Sequence, residues 1–274
     1  MSFAVSISIL SLVQAALVAL PQARRFAWLD AFRSPWWALV PALSIVLVIG
    51  IVGWQGESAT ALSWLALVAV PPFAALALGW LIHGARPELA AAVAPFFVIA
   101  WAAQGSLLGE VAATALTAFG CVGLGWLLVS VAPASWLKLG IYAMAAVDTW
   151  FVATDLLQGP NATLTAAAPS GLPRLQVVHL ADALMGFGDL FIAATLGCLL
   201  ALPAAHHPAA GPKSRLGVDF SARRQLFGAG LVAGLGLGFD LLFFAVETLP
   251  ATVPVALALA LIELWNRRVY GTVG

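Results

Sequence analysis

The chain has 274 residues, 62% of them apolar and 9% charged, against roughly 25% charged and under 50% apolar in an ordinary soluble domain, so a soluble fold is excluded. Twelve Lys and Arg balance twelve Asp and Glu, which leaves no basic surplus to hold nucleic acid and no acidic tail. Cys121 and Cys198 each lie inside an apolar run, without metal-ligand spacing to a histidine, and read as inert packing.

A helix needs roughly 20 apolar residues to cross the hydrocarbon, and lipid leaves no backbone group unpaired, so long apolar runs mean helices. Runs at approximately 3 to 20, 36 to 54, 61 to 82, 89 to 105, 108 to 132, 136 to 158, 174 to 203, 224 to 247 and 250 to 266 predict an all-α, polytopic membrane protein with about nine spans. The first run carries no Lys or Arg at its start and reads as a span rather than a signal peptide. The breaks hold turn or charge signals, as in Pro21 to Pro35, Gly159 to Pro173 and Ala204 to Arg223. The last of these reads as a flexible connector, so the chain is predicted to be a single transmembrane domain over 1–274. Its N-terminal spans occupy 1–135 and the spans that carry chemistry occupy 136–274.

Lys and Arg in short loops stay cytoplasmic. Arg24, Arg25 and Arg33, then Arg86, Lys138, Lys213 to Arg224, and Arg267 and Arg268 follow the odd-numbered spans. Of the twelve basic residues only Arg174 falls on the other side. The expectation is an outside N-terminus and a cytoplasmic C-terminus in a prokaryotic plasma membrane. Tryptophans such as Trp36, Trp37, Trp54 and Trp265 read as interface anchors.

Acidic residues inside membrane helices are costly and mark function by default. Asp148 lies in span six, roughly 15 Å from its outer end, and Asp189 in span seven, roughly 22 Å from its start. Spans joined by an external loop are antiparallel neighbours, so the two carboxylates are expected to meet near mid-membrane. A close pair cannot both ionise. One member then serves as base toward water, while its protonated partner polarises a peptide carbonyl. Gly186 and Gly188 clear side chains from the approach to Asp189.

Gly186-Phe187-Gly188-Asp189 resembles the GxGD signature of intramembrane aspartyl proteases, the presenilin and signal peptide peptidase group, in which the first catalytic aspartate stands one helix earlier, as Asp148 does. The tetrapeptide order is also similar to that of prepilin peptidases. The group has a Pro-Ala-Leu motif opening its last helix, and Pro250-Ala251-Thr252 stands there in this chain. The outside N-terminus looks like the signal peptide peptidase branch. The chain departs from the pattern in Val147, where the group has Tyr, and in Thr252, where it has Leu. The resemblance implies a presenilin-like fold and hydrolysis of membrane-spanning peptides or signal peptides. It also implies Asp148 and Asp189 as catalytic residues, and Gly186, Phe187, Gly188, Pro250, Ala251 and Thr252 beside the substrate, which pairs with them as an unwound strand. This chemistry needs no metal and no cofactor.

Asp155 and Asp182, each seven residues from a dyad member, with His179 one helical turn from Asp182, form a shallower acid layer, either a wet entrance or plain interfacial residues. Asp240 reads as a buried helix–helix contact. Glu110, Glu247 and Glu263 read as snorkelling side chains near span ends, and His206 and His207 lack the partners of a metal site. The glycines from Gly228 to Gly238 read as close helix packing. Two rival functions stay open: a proton- or cation-coupled transporter using the layered carboxylates, and a catalytically silent relative that binds transmembrane helices.

Overall fold

A computed structural model of the chain describes residues 2–22, 24, 27–40, 43, 56–154, 163, 167, 171–202, 220–244 and 249–270. Eight α-helices and one β-hairpin lie among them: α1 (Phe3–Ala19), α2 (Gly56–Leu76), α3 (Val93–Ala102), α4 (Leu107–Val131), α5 (Ala134–Ala153), β1 (Val177–Leu180), β2 (Ala183–Gly186), α6 (Phe187–Ala201), α7 (Phe220–Asp240) and α8 (Val253–Tyr270). Most of the second expected span lies outside the described residues, as do Arg25, Trp54, Asp155, His206, His207, Lys213, Arg215 and Glu247.

Among the described residues three helical stretches are long and apolar enough to cross a membrane: Ala59–Leu81, which takes in most of α2 and the π-helical turn after it, Leu107–Val131, and Ala222–Phe243. Two of them turn their apolar side chains outward. Trp64, Leu65 and Val68 on α2 and Leu226 on α7 are about half to two-thirds exposed. In water such faces would collapse onto one another; against lipid tails they cost nothing. Leu107–Val131 behaves differently, with most of its length buried. It packs against α2, α3, α6 and the hairpin, and forms the centre of the bundle.

The most enclosed element is α6, whose residues from Leu190 to Ala201 are all buried. A helix apolar on every side is stable only when neighbours cover every side. Gly197 admits α1 to one of them. A Cβ there would fall 2.6 Å from the Leu17 carbonyl oxygen and 2.7 Å from that of Val18, which makes the two backbones near-touching. The opposite flank of α1 lies along α7, and α8 closes the group by packing on α5, α6 and α7.

The seventh expected span is not one helix. Val177–Leu180 and Ala183–Gly186 pair antiparallel, Val177 opposite Gly186 and Leu180 opposite Ala183, and the helix starts at Phe187. The described chain is predominantly helical, as expected; what is corrected here is the unbroken seventh helix, and with it the depth argument that counted helical rise from residue 174. Asp189 sits in the first turn of α6. The hairpin is tethered to α4, where Glu110 accepts the Ala181 N–H through Oε2 at 2.7 Å and pairs with His179 Nδ1 through Oε1 at 2.9 Å. Ala181 has φ +49°, a backbone region that costs a non-glycine residue roughly 1–2 kcal/mol, and the Glu110 carboxylate holds it there. Glu110 is thus a hairpin anchor rather than a snorkelling residue. His179 lies on β1 and Asp182 in the turn, so they do not share a helix face.

Candidate active site

Asp148 projects from α5 and Asp189 from the start of α6, and both line one cavity of about 990 Å³. Their approach has a local cause. A Cβ on Gly188 would lie 2.7 Å from Cε of Met144, and Met144 is one helical turn before Asp148. The bare Cα of Gly188 therefore leaves space for the tip of the Met144 side chain beside the first turn of α6. Gly186 meets a different constraint. It is the N-cap of α6, and its N–H donates to Asp189 Oδ2 at 3.0 Å, so the carboxylate reaches back over its own helix start as an N3 residue does.

Asp148 is held from the turn before α8. The hydroxyl of Thr252 donates to Asp148 Oδ2 at 2.6 Å. Each aspartate thus has one oxygen fixed by a donor of the chain. Two carboxyl groups that line one cavity, each anchored by a donor of the chain, can hold a water molecule and pass one proton between them.

Gln14 of α1, 1% exposed, connects the two halves. Its Nε2 donates to the Asp189 carbonyl and to the Ala251 carbonyl, both at 3.0 Å, so one amide ties the first turn of α6 to the turn that carries Thr252. One helical turn earlier, Ser11 donates to both carboxylate oxygens of Asp240, at 3.2 Å and 2.9 Å, linking α1 to α7. Asp240 also lines the cavity, as a third carboxylate. The charged side chains that line the cavity, among the described residues, are all acidic.

The other expected site residues fall in two groups. Gly186, Phe187, Gly188 and Ala251 line the cavity, together with Leu184 and Met185 of β2. Pro250 and Thr252 are buried and lie outside that lining. Glu263 accepts from Tyr142 at 3.2 Å and pairs with Lys138 at 2.9 Å, joining α8 to α5 away from the cavity. No group of three or more His, Cys, Asp or Glu side chains among the described residues is placed to hold a metal ion.

Ser11 and Gln14 are the site residues that the sequence reading passed over. The signal was present: Ser11 and Gln14, three apart, share one face of a helix whose other polar residues are Ser6 and Ser8. Comparison with protein-family models, with curated proteins and with solved structures gives no match.

Proposed function

We propose that the chain is an intramembrane aspartyl protease of the presenilin and signal peptide peptidase type, which hydrolyses peptide bonds of transmembrane helices or signal peptides. The observation that carries this reading is the placement of Asp148 and Asp189 on one cavity, each with one oxygen anchored by a donor of the chain. In the proposed reaction the ionised member of the pair takes a proton from a water held between them. The protonated member gives its proton to the peptide carbonyl oxygen as water attacks the carbon. The tetrahedral intermediate collapses when a proton passes to the amide nitrogen, which leaves as an amine, and the pair again shares one proton.

A substrate helix must unwind to expose its carbonyl, and in lipid its freed backbone groups need partners. Strand β2 supports this step, because among the described residues it pairs with one strand, β1, and its residues Leu184, Met185 and Gly186 line the cavity. An extended substrate adds to β2 and lies past Gly188 toward Ala251. The same proposal includes the nine-span count, the outside N-terminus, the cytoplasmic C-terminus and the plasma-membrane location read from the loops. A second reading, a proton-coupled transporter, draws on Asp240, which adds a third carboxylate to the cavity.

Incubation of the purified protein with a panel of transmembrane peptides in bilayers separates the readings. The protease cuts at least one peptide, and Asp148→Ala and Asp189→Ala each abolish the cut. Binding without cutting supports the silent relative. Proton flux in sealed vesicles without cutting supports the transporter.

A further inference from the structure

Thr252 stands where the group that the chain resembles has leucine, a side chain with no proton to give. It is wholly buried, 0% exposed, and its carbonyl accepts the first backbone bond of α8, from Ala256 at 3.1 Å. That makes it the N-cap of the last helix. An N-cap threonine ordinarily serves its helix by accepting, through its hydroxyl, a backbone N–H from the second or third helical residue. The second residue of α8 is Pro254, which has no N–H, so the third, Val255, is left as the backbone donor a cap could take, while the hydroxyl's single proton goes to Asp148 Oδ2 at 2.6 Å.

We infer that Thr252 is a positioning residue that fixes the Asp148 carboxylate for attack on the substrate, an inference that rests on the protease reading. Three observations bear on it. The bond engages Oδ2 of Asp148, so it restrains the orientation of the carboxylate. The hydroxyl is attached to the turn that Gln14 clamps to the Asp189 carbonyl, so Asp148 is held in register with Asp189 through a continuous chain of bonds: Asp148, Thr252, Ala251, Gln14, Asp189. Thr252 is also outside the cavity lining, so it acts on Asp148 and does not touch substrate.

A hydrogen bond to a charged group that is lost only in the working geometry lowers the rate by about 10- to 100-fold. The test uses the full chain in bilayers and a peptide that the native protein cuts. Thr252→Val keeps the shape and removes the hydroxyl, and Thr252→Ser keeps the hydroxyl and removes the methyl. The expected result for Thr252→Val is a kcat lower by about 10- to 100-fold with KM within about twofold. Thr252→Ser stays within about threefold of the native kcat. Thr252→Ala, also lacking the hydroxyl, replaces the valine variant if that variant fails to fold in a thermal melt. Equal activity of native protein and Thr252→Val overturns the positioning role while leaving the protease reading intact, since Asp148→Ala still abolishes cleavage. Equal loss in Thr252→Ser and Thr252→Val also overturns it, because packing of the methyl is then what matters. A native protein that cuts no peptide overturns the protease reading and this inference together.

Discussion

Gln14→Leu tests whether α1 belongs to the site. The substitution keeps the volume of a residue that is 1% exposed and removes the amide that donates at 3.0 Å to both the Asp189 and Ala251 carbonyls. A buried hydrogen bond contributes about 1 kcal/mol net in water-soluble proteins and about 0.6 kcal/mol inside membranes. Two such bonds give a loss of about 1–2 kcal/mol, and the α6 N-terminus remains covered by its other neighbours. The effect on chemistry is larger than the effect on stability, since a 1 Å displacement of a catalytic group lowers the rate by about 100-fold. The expected outcome is therefore a small drop in the thermal midpoint in detergent beside a kcat about 100-fold lower on a cleaved peptide. Gln14→Glu, similar in size but a poor donor, behaves like Gln14→Leu. Native kcat in both variants refutes the claim that α1 registers the two halves of the site.

Gly197→Ala puts a methyl 2.6–2.8 Å from backbone atoms of Leu17 and Val18, and overpacking of this kind costs about 1–3 kcal/mol, read as a lower thermal midpoint. Glu110→Leu removes the acceptor of the Ala181 N–H; amide exchange over 177–186 accelerates and cleavage falls, whereas exchange at unchanged rate contradicts the anchoring role. Asp240→Asn keeps an acceptor for Ser11 and, on the protease reading, leaves cleavage within about tenfold of native, below the 100- to 10,000-fold loss typical of removing a general acid or base. Proton flux abolished by Asp240→Asn favours the transporter.

Much of the helical architecture was legible because apolar length alone marks it. The third, fifth and eighth runs reappear as the three stretches able to cross a membrane. Asp148, Asp189 and Asp240 stood out because a carboxylate is conspicuous in an apolar run. The hairpin was not legible. Val177 to Gly186, with His179 and Asp182 as its polar residues, continues into α6 without a proline or a charge cluster, and a short apolar run does not distinguish a buried strand from a buried helix. Its two-residue turn is Ala181-Asp182, with alanine rather than glycine or asparagine at positive φ, so the usual hairpin signal is missing. Val177-Val178, a β-branched pair, was the remaining hint. Gly188 was legible as a close approach, but the partner is Met144 of α5 as well as the cavity. Thr252 looked like a loss of the family pattern in the sequence; its bond to Asp148 becomes visible once the turn before α8 is folded against α5.

The central claim is that Asp148 and Asp189 together direct water to a peptide bond. It is tested most directly by cleavage of a transmembrane peptide in H₂¹⁸O, followed by mass spectrometry of the products from native protein and from Asp148→Asn and Asp189→Asn. The account predicts one ¹⁸O in the new C-terminal carboxyl group of the native product and no product from either variant. A cut that persists in either asparagine variant, or a product without the label, contradicts it.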